Sequence, residues 1–215
     1  YAGVSTAVLI RDLLAKKVEG RDAMDVAGAR SAMITEIRNL GRPGIVSMAI
    51  SAVDNALWDL KAKLLDLPLF KLLGAVRDAV PVYGSGGFCS YSDTQLRDQL
   101  GGWARDGIGM VKMKVGREPQ RDPDRVRIAR EAVGDEVQVF VDANGAYSRK
   151  QALRLALTFA DYDVAWFEEP VTSDDLDGLR LIRDRAPAGI DIAAGEYGYD
   201  SWYFRRMLVA GAVDV

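Results

Sequence analysis

The sequence predicts an α/β protein in which a helical first third is followed by consecutive βα units with a parallel sheet. Three observations predict this. Short β-rich runs recur after Pro81, and all but the last are followed by an amphipathic helical pattern. Helix start and stop signals fall between those runs. Before about residue 78, apolar residues recur only at helical spacing.

Taken in order, Ser5 is placed to cap a helix over 6–17, and Asp22 or Asp25 opens a second running to about Arg38. The breaker Gly41-Arg42-Pro43-Gly44 follows. Ile45, Met48, Ala49, Ala52, Ala56, Leu57 and Leu60 then mark a long, well-buried helix, which Pro68 and Gly74 bring to an end. The expected strands are VPVYGS (80–85), MVKMKV (110–115), VQVFVDA (137–143), VAWFEEP (164–170), IDIAAGE (190–196) and AVDV (212–215). Between them, Ser92 with Gln95 and Ser148 with Gln151 form capping boxes, Asp122-Pro123 reads as an N-cap with proline at N1, and Ser173 precedes two Asp. Gly107, Gly134, Pro187 and Gly211 lie where those helices should finish. Six strands with five helices fit either an open doubly wound sheet or part of a (β/α)8 barrel.

Composition narrows the chemistry. The 28 Lys+Arg against 31 Asp+Glu, net −3, give no basic field, so no nucleic-acid or membrane partner is expected. With 0 His there is no histidine triad, base or metal ligand in this sequence, and the single Cys89 allows neither an internal disulfide nor a cysteine cluster. Any metal must therefore sit on oxygen ligands. A reducing, cytoplasmic setting is expected, no apolar run reaches the ~20 residues of a membrane span, and Tyr1 in place of Met suggests a start inside a longer protein.

The charges that stand out fall on or just after successive strands: Lys112 and Lys114, Asp142, Glu168 with Glu169, and Glu196. In a parallel α/β architecture the C-terminal strand ends share one face, so these residues converge. Carboxylates aimed at one point repel unless a cation neutralises them, and oxygen donors suit Mg²⁺. Asp142, Glu168 and Glu196 are the expected ligands. Strand alternation sends Glu169 to the other side of the chain, giving it a supporting or salt-bridge role. The same alternation points Lys112 and Lys114 into one pocket, with Val111, Met113 and Val115 facing away. Two like charges opposite a metal ion lower a lysine pKa toward that of a general base.

These residues resemble the enolase superfamily, in its mandelate racemase and muconate lactonizing enzyme group. The resemblance rests on VKMKV, VDAN, FEEP and AAGE, and on RPGIVSMAISAVDNALWDLKAKLLDLPLFKLLG, which is similar to the helical part of that group's capping domain. It implies that residues 1–78 are the C-terminal helical part of an α+β capping domain. Residues 79–215 would then be the first part of a (β/α)8-type barrel, with about six strands present and the rest beyond Val215. Lys114 becomes the base on one face of the substrate, Lys112 its electrostatic partner, and Asn144 a polar group beside the metal. Tyr83 and Ser85, with Phe88 and Tyr91, would shape specificity. A glutamate at the third ligand position leans toward mandelate racemase and acid-sugar dehydratases, whose second base, a His paired with Asp, would lie beyond Val215.

The implied activity is Mg²⁺-dependent abstraction of the α-proton of a small carboxylate substrate to give a metal-stabilised enediolate. Dehydration of a sugar acid is the first expectation, racemisation or epimerisation of a 2-hydroxy acid the second. A homo-oligomer is expected. Two readings of other kinds stay open. A metal-dependent aldolase gives no reason for the paired lysines, and a non-catalytic barrel gives none for a full set of ligands with both lysines.

Overall fold

A computed structural model describes residues 3–215. The chain forms two compact units, Tyr1–Val80 and Pro81–Val215.

The first unit is helical. One helical run comprises α1 (Val4–Leu9), a π-helical turn (Ile10–Leu14) and α2 (Ala15–Val18). It is entered from Gly3, so Ser5 lies inside the helix and does not cap it. α3 (Val26–Glu36) is capped by Asp25, which accepts a hydrogen bond from the backbone N–H of Gly28. α4 (Ile45–Leu64) starts after Gly44 and is followed by the short α5 (Leu69–Leu72). Leu14, Met33, Ile37, Ala49 and Ile50 form the core of this unit. α4 has the expected length but less burial: Ile45, Ala52, Ala56 and Leu60 are exposed. Its 20 residues span about 30 Å.

The second unit is a parallel sheet of β1 (Gly84–Gly86), β2 (Met110–Lys114), β3 (Gln138–Asp142), β4 (Val164–Glu168) and β5 (Asp191–Ala193), in the order β1-β2-β3-β4-β5. Between and after them run α6 (Asp93–Arg105), α7 (Asp122–Val133), α8 (Arg149–Ala160), α9 (Leu176–Arg185) and α10 (Ser201–Val209). Strand order follows chain order with no switch point, and α6–α7, α7–α8 and α8–α9 touch as neighbours. A doubly wound sheet reverses its order and splits its helices between two faces. A barrel wall does neither. Of the six expected strands, five are regular. Ala212–Val215 runs beside β5, where the N–H groups of Asp214 and Val215 reach the carbonyl of Ile192, but it forms no regular ladder. β1 is also shorter than expected: Pro81 offers no N–H to a ladder, and pairing begins at Gly84 opposite Val111. Gly84 and Gly86 are required there, because a Cβ on either would collide with Trp103 or Gln99 of α6.

Both capping boxes form as expected. Two other caps differ. Arg121 occupies the N-cap of α7, while Asp122, 1% exposed, instead accepts hydrogen bonds from the N–H of Gly116 and the hydroxyl of Tyr147. α9 is capped by Asp175, not by Ser173. The alternate strand residues Val111, Met113, Val139, Val141, Phe167 and Ile192 join Leu96, Ala129, Ala156, Phe159 and Ile182 in one core. The opposite strand face carries the charged residues together with Phe140 and Trp166.

At the other end of the strands, the Arg130 guanidinium donates to four carbonyls, those of Tyr162 (3.0 Å), Gly134 (2.7 Å), Val137 (2.6 Å) and Asp163 (3.0 Å). It thereby ties α7 to the segments entering β3 and β4. Arg130→Met keeps most of the stem and strands those carbonyls. It is expected to destabilise the protein by about 2–3 kcal/mol in urea unfolding; a change below about 0.5 kcal/mol would show that water satisfies the four carbonyls equally well.

Candidate active site

The ladders set the heights of the charged residues. Lys114 pairs with Asp142 across β2 and β3, and Asp142 with Glu168 across β3 and β4, so one layer carries all three; Lys112 pairs with Phe140 one layer below. Lys112 Nζ reaches upward to Glu168 Oε2 at 2.5 Å and Asp142 Oδ2 at 3.6 Å, while Lys114 Nζ meets Asp142 Oδ2 at 2.5 Å and Asn144 Oδ1 at 2.9 Å. Asp142 is fully buried and Lys112 only 6% exposed.

Asn144 knits the rim. Its backbone N–H donates to Asp142 Oδ1 at 2.9 Å, and its Nδ2 donates to Glu196 Oε1 at 2.8 Å. Glu196, after β5, is exposed. One oxygen each from Asp142, Glu168 and Glu196 lies within 4.8 Å of the others. Two oxygens on one Mg²⁺ can be at most about 4.2 Å apart, so a small side-chain adjustment suffices. The structure thus brings together Lys112, Lys114, Asp142, Asn144, Glu168 and Glu196.

Glu169 stands next to this cluster but outside the three carboxylates that could share an ion. Its φ of +41° ends the strand geometry. Burial, with the charges of Glu196, Asp142 and Glu168, pushes its pKa up to about 8, against a smaller pull from Lys114. Both of its carboxyl oxygens are buried with no hydrogen-bond partner among the described residues. Such a group is costly to keep charged unless a cation is nearby. With three oxygen donors at suitable spacing beside it, the donor set fits a hard divalent cation.

The expected lowering of lysine pKa is not found at Lys112. Burial pulls it down, but the hydrogen bond and charge of Glu168, with help from Tyr83 and Asp142, outweigh burial and hold it above its ordinary value. The carboxylates themselves are the dominant charges facing this amine.

Ser85 is exposed in β1, opposite Lys112. Tyr83 lies just before β1 and touches Lys112, Phe140 and Trp166. Phe140 and Trp166 were not singled out in the sequence, although each stands two residues before a proposed ligand and so shares its strand face. Nor was Tyr197, whose hydroxyl is raised by burial and by the charges of Glu169 and Glu196.

A family model described as enolase C-terminal domain-like matches residues 95–215, and one described as the mandelate racemase / muconate lactonizing enzyme N-terminal domain matches residues 2–74. The chain belongs to the enolase superfamily, in its mandelate racemase/muconate lactonizing enzyme group. Among its enolase-superfamily relatives, a 3,6-anhydro-alpha-L-galactonate cycloisomerase from Streptomyces coelicolor is 35% identical over 99% of this chain and 59% of its own length. An L-talarate/galactarate dehydratase from Salmonella typhimurium is 38% identical over 85% of this chain and 46% of its own. The solved structure of a mandelate racemase/muconate lactonizing enzyme-like protein from Rubrobacter xylanophilus matches with TM-score 0.94 and 54% identity, over 100% of this chain and 59% of that one. A racemase from Streptomyces coelicolor A3(2) with bound magnesium matches with TM-score 0.90 and 35% identity, over 99% of this chain and 59% of that one. The chain therefore spans less than two thirds of each. Its parallel sheet is the barrel part of an enolase-superfamily fold, and its donor set suits the magnesium seen in that neighbour.

The lysine–carboxylate contacts are buried, so removing one partner should be expensive. In chelator-treated protein, Lys112→Met is expected to cost about 3–5 kcal/mol of unfolding free energy. A cost under about 1 kcal/mol in urea titration would mean that Glu168 and Asp142 do not depend on this amine.

Proposed function

We propose that this chain supplies the lysine pair and the metal ligands of an enzyme that removes the α-proton of a small carboxylate substrate, and that the overall reaction is dehydration of a sugar acid. The observation that carries the reading is the juxtaposition of two inward amines with three carboxylates from successive strand ends. A metal-dependent aldolase would use the carboxylates but leave both lysines without a task.

In this reading Asp142, Glu168 and Glu196 hold one Mg²⁺, and Asn144 orients the first and third through its two hydrogen bonds. When bound, Mg²⁺ acts as a Lewis acid toward the substrate carboxylate, where negative charge grows as the proton leaves. Lys112, deep between β1 and β3, directs a fixed positive charge at that carboxylate. Lys114 lies higher, at the rim beside Asn144, and its Nζ takes the α-proton. With its acidic partners committed to the cation and a second ammonium close by, Lys114 is favoured as a neutral base. The Lys114 side chain is 15% exposed against 7% for Lys112, so it is the amine with the better access to substrate.

Loss of a β-hydroxyl completes a dehydration, and the similarity to L-talarate/galactarate dehydratase supports that outcome. Return of the proton to the opposite face gives racemisation, the second reading, which the similarity to a magnesium-bound racemase favours.

The test uses full-length protein, Mg²⁺ and a panel of sugar and 2-hydroxy acids in D₂O. Lys114→Ala is expected to lower α-proton exchange on one stereochemical face by about 10²–10⁴-fold, with Mg²⁺ affinity by calorimetry within about threefold of wild type. Exchange at the wild-type rate on both faces would place the base elsewhere.

A further inference from the structure

We propose that the aromatic ring of Tyr83 is a positioning device for Lys112, holding its ammonium against the ring face so that the charge stays aimed at the substrate carboxylate. The proposal rests on the reading of Lys112 given above. Lys112 Nζ lies 5.1 Å from the Tyr83 ring centroid, inside the roughly 6 Å over which a ring face attracts a cation. The amine is buried, which puts the contact at the stronger, desolvated end of that range.

The ring is itself held. It stands edge-on to Phe140 at 5.8 Å and 80°, and tilted against Trp166 at 6.4 Å, while Phe140 and Trp166 pack at 5.1 Å. Phe140 and Trp166 belong to β3 and β4, two residues below Asp142 and Glu168. The strands that carry the carboxylates therefore also carry the floor on which Tyr83 rests. Lys112 lies between them, with acid groups on one side and a π face on the other. Those acid groups are the proposed ligands of a cation. A lysine held by them alone would lose its fixed place once they were committed to it, whereas the ring contact remains.

A packing role alone would depend on the ring's shape, and a cation–π role depends on its electron density. The experiment replaces Tyr83 in full-length protein by Phe, then by phenylalanines bearing one, two and three ring fluorines, which drain the π face at nearly constant shape. Tyr83→Phe also removes the hydroxyl that helps hold the Lys112 ammonium, so it sets the reference for the series. Successive fluorines should raise KM for the acid progressively, to about tenfold in all, with kcat and Mg²⁺ affinity within about twofold. A flat KM across the fluorinated series overturns the proposal. Lys112→Ala is measured alongside. If it leaves KM unchanged, the role given to Lys112 fails; if it raises KM while the fluorinated series stays flat, only the role of Tyr83 fails.

Discussion

Repulsion among carboxyl groups at the ends of β3, β4 and β5 governs this site. Asp142, Glu168 and Glu169 are buried, Glu196 closes the rim, and the charges of the other three raise the cost of ionising Glu169. The positive partners close at hand are Lys112 and Lys114, and both are engaged with these acids. Two ammoniums among four carboxyl groups leave a deficit of positive charge. Burial and that deficit together raise the Glu169 carboxyl, its oxygens stay unpartnered, and Glu168 holds the Lys112 ammonium up. A divalent cation would resolve all three.

The scaffold exists to keep that unfavourable cluster together. Parallel pairing in sequential order puts equivalent strand positions at equal heights, so the layer Lys114–Asp142–Glu168 is set by register and not by side-chain choice. In β2 and β3 every second residue is apolar and shares a core with the helices, and burial of that area offsets what charge crowding costs. The bracing is also local: buried Asp122 joins Gly116, after β2, to Tyr147, after β3, which ties together the loops that follow Lys114 and Asp142. Arg130 does the same for the opposite ends of β3 and β4.

Most of the second unit was legible in the sequence because period-2 alternation and Ser-x-x-Gln boxes are local signals, and both act locally in the fold. The same alternation put the two lysines on one face with Asp142 and Glu168. At Glu169 a left-handed backbone ends the strand, so alternation no longer sets the direction of its side chain. The local signals gave no warning that Asp122 would abandon its cap for Tyr147, because that contact spans 25 residues. The sequence reading weighed the lysine pair against a bound cation; without one, the nearest charge to Lys112 is Glu168, which holds that ammonium up. The burial of α4 was overstated because helical periodicity shows which face is apolar but not how much of it neighbours cover.

The account turns on one location for the missing positive charge. The most direct measurement is a crystal structure of the full-length protein soaked in Mn²⁺, a Mg²⁺ substitute visible by its anomalous scattering. The account predicts one strong anomalous peak within about 2.3 Å of oxygens from Asp142, Glu168 and Glu196, with the Lys112 and Lys114 amines withdrawn from contact with those oxygens. Full metal occupancy at any other place, or a site with the 2.5 Å lysine–carboxylate contacts intact and no peak between them, would contradict it.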